Sequence, residues 1–329
     1  MTGHTLVIQT AFLGDVVLTL PLIQQLADQF GPVDVVVTPE AEPLATGQPA
    51  VRRAIVYDKR GADRGVAGFR KMARLLRAKR YQRAFLPHRS LRSALLVRQA
   101  GVPERTGFAG GIAGLLHTRS VARAETGHES ERLAALAPAP APVAAPWLVL
   151  GSTDRERAAA WLTASGIGPP YVVLAPGARW ATKRWPGFPA LAREFEHPVV
   201  VIGGPDDRAA ASAIVAAAPN GRSAAGELSL LQSAALIERA ALVVSNDSVA
   251  LHLAVALGRP VLGVAGPTGP ASGFEPPPGA GGIVAHPELA CRPCSRHGHD
   301  RCPLGHHRCM TELEPATVLS AVTAALTHL

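Results

Sequence analysis

Four loops in this chain set glycine beside residues that can carry charge or move a proton, and each follows a short apolar run. In Thr10-Ala11-Phe12-Leu13-Gly14-Asp15 the Asp15 carboxylate has two uses. It can cap a helix starting there, or act as a general base toward a hydroxyl held within hydrogen-bond reach. Gly14 lets a ligand come close to the backbone. The loop from Ala175 to Pro186 supplies Gly177, Ala178 and Lys183. Free amides, a glycine and an ammonium suit a diphosphate, and Lys183 would offset charge growing on a departing diphosphate; the competing reading is a solvated basic loop with a packed Trp. In Ser245-Asn246-Asp247-Ser248-Val249 the amides of Ser248 and Val249, at a helix start, can meet phosphate oxygens. Asp247 would repel phosphate, so its carboxylate is better used on ligand hydroxyls. His252 reads as a packed helix residue rather than a catalyst. In Gly203-Gly204-Pro205-Asp206-Asp207 the glycines permit a nucleotide to lie against the backbone, with Asp207 as acceptor for ribose hydroxyls.

A fifth cluster is different in kind. All four cysteines fall in one window, as Cys291-x2-Cys294-x7-Cys302-x6-Cys309. One tight pair followed by two more thiols has the ligand count of a four-thiolate structural zinc site; reduced, packed thiols or an occasional disulfide are the alternative. His297, His299, His306 and His307 could stand in as ligands or simply populate a polar loop.

These loops need strands and helices to aim them. Residues 5–9, 33–37, 54–57 and 84–87 read as strands, with helices over 15–29 and 66–80 between them, the rhythm of a parallel sheet with crossover helices. The helix over 66–80 puts Phe69, Met72 and Leu76 on one face and most of its arginines elsewhere, which fits a core helix with a solvated basic face, or one lying on anionic lipid. A second series follows, with strands over 171–175, 199–202, 242–245 and 261–264, and helices over 186–196, 206–217, 229–239 and 248–257. Between them the proline-rich run Ala134 to Pro146 excludes a helix or a central strand and reads as a linker. The predicted class is α/β with two doubly wound sheets, in which ligands bind beyond the carboxyl ends of the strands.

The 329-residue length suits two domains, and 47% hydrophobic against 18% charged residues excludes a largely disordered chain. No apolar run reaches the ~20 residues of a membrane span. The start Met1-Thr2-Gly3-His4 has neither a basic n-region nor a cleavage site, so a cytoplasmic protein is expected. The net charge of +8 is uneven: residues 51–105 hold 16 Lys and Arg against Asp58, Asp63 and Glu104. Such a surface attracts anionic partners without choosing among glycolipid, membrane and nucleic acid. The absence of Gly-x-Gly-x-x-Gly after either leading strand, and of a Walker Gly-Lys-Ser/Thr, argues against a nicotinamide dehydrogenase and an ATPase.

Taken in order, Thr-Ala-Phe-Leu-Gly-Asp-Val-Val-Leu-Thr, Pro-Gly-Ala…Thr-Lys-Arg-Trp-Pro, Val-Ile-Gly-Gly-Pro-Asp-Asp and Ser-Asn-Asp-Ser…His-Leu-Ala-Val-Ala-Leu-Gly-Arg-Pro…Gly-Pro-Thr resemble glycosyltransferase family 9, the ADP-heptose:lipopolysaccharide heptosyltransferases. The tail from Cys291-Arg-Pro-Cys294 to Cys309-Met310 looks like the heptosyltransferase II branch. The resemblance implies a GT-B fold, two Rossmann-like domains facing a cleft, and inverting transfer of heptose from ADP-heptose with no catalytic metal. It implies an acceptor-binding domain over 1–150, a donor domain over 151–314, and a last helix over 315–329 crossing back to the first domain. It also implies Asp15 as base, Lys183 on the diphosphate, Asp247 near the donor sugar, the Ser248 and Val249 amides at the phosphates, and Asp207 near the ribose. Val249 stands where many members have Gly, and Ala11-Phe12 replace hydroxyl residues of some members. The implied acceptor is an anionic glycolipid of the lipopolysaccharide inner core, met at the cytoplasmic face of the inner membrane, with no nucleic acid partner. Two rivals remain at this stage. One is a basic nucleic-acid or membrane-binding module, for which 5% aromatic residues are few; the other is a sugar-nucleotide epimerase or hydrolase on the same architecture.

Overall fold

The computed structural model describes residues 4–143 and 145–327. Met1-Thr2-Gly3, on which the expectation of no targeting signal rested, lies outside the described residues, as does Ala144 of the expected linker. The chain divides into two compact units, residues 1–149 and 150–329.

In the first unit the strands β1 (Thr5–Ile8), β2 (Val33–Val37), β3 (Val51–Val56), β4 (Arg83–Leu86), β5 (Glu104–Phe108) and β6 (Arg119–Val121) form one sheet in the order β3-β2-β1-β4-β5-β6. Every pairing is parallel. Buried on both faces, the central strands are almost wholly apolar, as parallel sheets require. Asp34 in β2 is a buried charge among them. It has no exposed surface, and the Arg52 guanidinium meets both its oxygens at 2.8 Å, which satisfies the charge locally. The helix Leu13–Phe30 follows β1 and buries Val16, Val17, Leu20, Ile23 and Leu26. The helix Gly65–Ala78 buries Met72, Ala73 and Leu76 while Arg70, Lys71, Arg74 and Arg77 face solvent, so it is a core helix with a solvated basic face. The proline-rich stretch lies along the helix Leu13–Phe30, held by Gln25 to Ala141 and Gln29 to Ala139.

The second unit repeats the plan. β7 (Val172–Ala175), β8 (Val199–Val201), β9 (Gly221–Ser223), β10 (Leu242–Asn246), β11 (Val261–Ala265) and β12 (Gly281–Ala285) form a parallel sheet in the order β12-β11-β10-β7-β8-β9. Its core gathers Val172, Leu174, Val201, Val244 and Val264 with Trp185, Phe188 and Leu191. The helix Pro315–Thr327, expected to return to the first domain, buries Val318 and Val322 in this core. The fold class is the one expected, two doubly wound α/β units of the GT-B type. Four strands escaped sequence reading: β5, β6, β9 and β12. Each sits at a sheet edge or next to one, where a strand is half solvated and loses the apolar continuity that reveals central strands.

Candidate functional site

In each sheet the strand order reverses beside the first strand, between β1 and β4 and between β7 and β10. At such a switch point neighbouring crossovers leave in opposite directions, and the loops at the strand ends open a crevice between them. β7 and β10 end level, with Ala175 opposite Ser245, so the loops after both emerge side by side. This register brings the second and third sequence loops together.

Lys183 and Asp247 meet there. The Lys183 Nζ donates to Asp247 Oδ2 at 2.7 Å, and both residues are buried, with 7% and 8% of their surfaces exposed. Thr268, in the loop after β11, donates its hydroxyl to the same oxygen at 2.7 Å. Burial by itself would raise the Asp247 carboxyl; the Lys183 charge, the hydrogen bonds from Lys183 and Thr268, and His252 outweigh it and hold the carboxyl below its ordinary value. The aspartate is therefore a fixed, ionised acceptor. Asn246, fully buried at the end of β10, ties the two loops together: its Oδ1 accepts from the Trp185 amide at 3.2 Å and its Nδ2 donates to the Pro176 carbonyl at 2.6 Å. Ser248 precedes the helix Val249–Ala256 without capping it through its side chain; its hydroxyl instead meets the Ser245 hydroxyl at 3.1 Å. The first amides of that helix therefore open beside the ion pair, an arrangement that favours an anion.

Gly177 and Asp207 also come together. The turn Pro205–Asp207 after β8 swings the Asp207 carboxylate against the loop after β7, and a Cβ on Gly177 would lie 2.5 Å from Asp207 Oδ2. That oxygen accepts from the Gly204 amide at 2.9 Å, so Asp207 is oriented by its own turn. Ala178 is half-buried in the same loop, its carbonyl accepting from Arg184. A recess beside the ion pair is lined by Asp247, Thr268, Gly269, Ser272, Phe274 and Glu275. Glu275 is pushed up by burial and by the Asp247 charge, with Arg292 pulling the other way. His252 is buried and lies edge-on to Phe274, consistent with its reading as a packed residue.

Asp15, with Gly14 before it, sits in the first turn of the helix Leu13–Phe30 at the end of β1. The helix begins two residues earlier than expected, so Asp15 is not its N-cap but lies at the third helical position, where its Oδ2 accepts from the Phe12 amide at 3.0 Å; the residue stays half-buried. Around this strand end, Lys59 donates to the Thr10 carbonyl at 2.6 Å and to its hydroxyl at 3.1 Å. Burial lowers the Lys59 ammonium below its usual value, helped by Arg60 and Arg92. His88, in the loop after β4, is pushed down to about 4, chiefly by burial and then by Lys59.

The cysteine window does not take the form expected of a zinc site. Among the described residues no three His, Cys, Asp or Glu side chains are grouped to hold a metal ion. Cys309 is buried beside Met310 and Gly266, whereas Cys294 is exposed. Burial, and then the neighbouring thiols, push Cys309 up to about 11. The window instead holds the site loops. His299 exchanges hydrogen bonds with Thr182, and the His307 ring contacts the Thr182 carbonyl at 2.9 Å, directly before Lys183. Thr268, Glu275 and Arg292 were missed as site residues. The rule that ligands lie beyond strand ends, applied to the loop after β11, would have found Thr268.

Known proteins resemble this chain in sequence and fold. The sequence model of glycosyltransferase family 9 (heptosyltransferase) matches residues 69–300. The lipopolysaccharide heptosyltransferase 2 of Escherichia coli K12 is 29% identical over 98% of this chain and 98% of its own. The solved structure of E. coli ADP-heptose lps heptosyltransferase II is 26% identical, with a TM-score of 0.79 over 99% of both chains. A family 9 glycosyl transferase from Veillonella parvula, 20% identical, superposes with a TM-score of 0.86 over 100% of this chain and 98% of that one, a likeness of fold.

Proposed function

Because the chain belongs to glycosyltransferase family 9, the heptosyltransferases, we propose that it transfers a heptose from ADP-heptose to the inner core of lipopolysaccharide, with inversion and without a catalytic metal. The observation that carries this reading is the buried Lys183–Asp247 pair beside the helix start at Ser248. Lys183 has N–H donors left after bonding Asp247, and these, with the amides of Ser248 and Val249, supply the positive field a diphosphate needs. Asp247, ionised and neutralised by its partner, keeps acceptor capacity for sugar hydroxyls without repelling the phosphates. Gly177 and Ala178 give the nucleotide a close backbone, and Asp207 takes the ribose.

In the reaction the acceptor hydroxyl attacks the anomeric carbon as its proton passes to Asp15, and the bond from that carbon to the diphosphate oxygen breaks. Charge collects on departing ADP, where Lys183 and the helix amides stabilise it. Residues 1–150 would then serve the acceptor, with Gly14 allowing close approach, and residues 151–314 the donor. The relatives' named substrates and the basic stretch 51–105 support an anionic glycolipid acceptor, met peripherally at the inner membrane's cytoplasmic face, rather than nucleic acid.

Calorimetry with ADP-, UDP- and GDP-linked sugars tests the donor side, and product analysis with Asp15→Asn tests the base. ADP-heptose should bind best, and Lys183→Ala should weaken it by roughly tenfold or more. Because removing Lys183 alone strands a buried carboxylate at a cost of about 3–5 kcal/mol, the Lys183→Ala/Asp247→Asn pair is measured alongside. Asp15→Asn should bind donor normally and transfer at background. Preference for a UDP-linked sugar overturns the donor assignment, and near-normal transfer by Asp15→Asn overturns the base.

A further inference from the structure

The Lys183–Asp247 pair is gripped from behind by one segment of chain, residues 286–309, which the donor chemistry does not itself use. Its hub is Arg292. The guanidinium donates to three carbonyls, those of Gly266, of His286 at 2.9 Å and of Thr268 at 3.0 Å. Two of the three belong to the loop after β11, the loop whose Thr268 hydroxyl bonds Asp247. The Cys294 and Ser295 amides donate to the Pro267 carbonyl between them, at 3.0 and 3.1 Å. Gly266 is packed closely: a Cβ there would lie 2.8 Å from the Met310 side chain and 3.2 Å from Cys309 Sγ, so one of them would have to shift. On the other flank the same segment holds Thr182 through His299 and His307, next to Lys183. Both partners of the ion pair are thus set by contacts from a single strap.

We infer that Arg292 is a positioning residue for the Lys183–Asp247 pair, acting through Thr268, and that the cysteine-bearing segment is the brace it belongs to. The inference rests on the donor-site reading above. A buried carboxylate owes its ionised state to the geometry of its donors, so a loop that drifts costs Asp247 a hydrogen bond it cannot replace from water. Arginine suits the role because its planar fork reaches several carbonyls at once; a lysine carries the same charge from one atom and cannot span them. The ionisable groups bearing on Asp247 are Lys183, His252 and Glu275. Arg292 also lowers Glu275; lysine keeps a positive charge there and Thr268→Val changes no charge at all, so a change in Asp247 shared by the two variants reports position rather than lost charge.

The test follows the Asp247 carboxyl by carbon NMR in the whole chain labelled at aspartate, with Asp247→Asn giving the assignment. Arg292→Lys should raise the Asp247 pKa by about one unit, weaken ADP-heptose binding on the order of tenfold, and leave cooperative unfolding in place. Thr268→Val, which removes only the connecting hydroxyl, should raise it likewise and decides the matter if Arg292→Lys fails to fold. An Asp247 titration unmoved in Thr268→Val, or unmoved in a folded Arg292→Lys, overturns the inference. The NMR titration needs no ligand, so a wild type that binds no nucleotide sugar counts against the donor reading alone.

Discussion

Lys183 and Asp247 neutralise one another where neither would be tolerated alone, since an unpaired buried charge costs several kcal/mol. That mutual dependence makes them a fixed dipole rather than two mobile groups, with Lys183 donors and Asp247 lone pairs left for a ligand. The Asp15 carboxylate accepts from the Phe12 amide. Capping and proton transfer are compatible there, because the cap fixes the direction of the group that would act as base. His88 carries a stability prediction. Its folded pKa, about 4, lies below the ordinary 6.5, so as pH falls the unfolded chain takes up the proton first. Its contribution is complete above about 6.5 and is lost progressively down to about 4, amounting to on the order of 3 kcal/mol. Asp247, held below the ordinary 3.8, loses its contribution only at lower pH, outside this window. Melting temperature followed from pH 7 to 4 should therefore fall less steeply in His88→Gln than in wild type. Parallel curves would show that His88 is not neutral in the fold.

At the scale of elements, the ends of strands matter more than the strands. The loops after β7, β8, β10 and β11 converge because the strands that launch them are neighbours in register, and close backbone approach is possible only where glycine leaves room. Gly177 is the clearest case, with Asp207 filling the space a side chain would need. In Gly177→Ala the half-buried carboxylate can swing away, so the fold should lose less than about 1 kcal/mol, while ADP-heptose affinity should fall roughly tenfold if the displaced group is the ribose acceptor proposed above. Adding Gly177→Ala to Asp207→Ala should cost little more than Asp207→Ala alone, since both act through one carboxylate. Additive losses in titration calorimetry would separate the two residues. The segment around the cysteines belongs to this scale as well: its thiols lie among backbone contacts that hold Thr182 and Pro267, so its use is mechanical.

Over the whole molecule, charge is the property that local contacts do not absorb. Sixteen Lys and Arg between residues 51 and 105 exceed what Asp34, Asp63 and Glu104 pair with, and among the described residues no helix is long and apolar enough to cross a membrane. A basic surface of this kind speeds encounter with an anionic acceptor and is screened by salt. With the lipopolysaccharide acceptor, kcat/KM should fall roughly tenfold from low salt to about 0.5 M, while ADP-heptose affinity, set inside the buried pair, changes far less. Equal salt dependence of the two would remove the basic stretch from acceptor capture. Much of this protein was determined by its sequence alone. Apolar runs bounded by glycine and proline gave eight of the twelve strands among the described residues, and strand-to-helix junctions marked Asp15, Gly177, Lys183, Asp207 and Asp247 as groups at strand ends. These are local signals, carried by neighbours in the chain. Three matters were left to tertiary structure: that Lys183 and Asp247 are partners, that Thr268 and Arg292 stand behind them, and that the cysteine-bearing segment contacts the loops carrying Thr182 and Pro267. Each depends on which strands lie side by side and how level they end, a property of sheet order and register that no stretch of sequence contains.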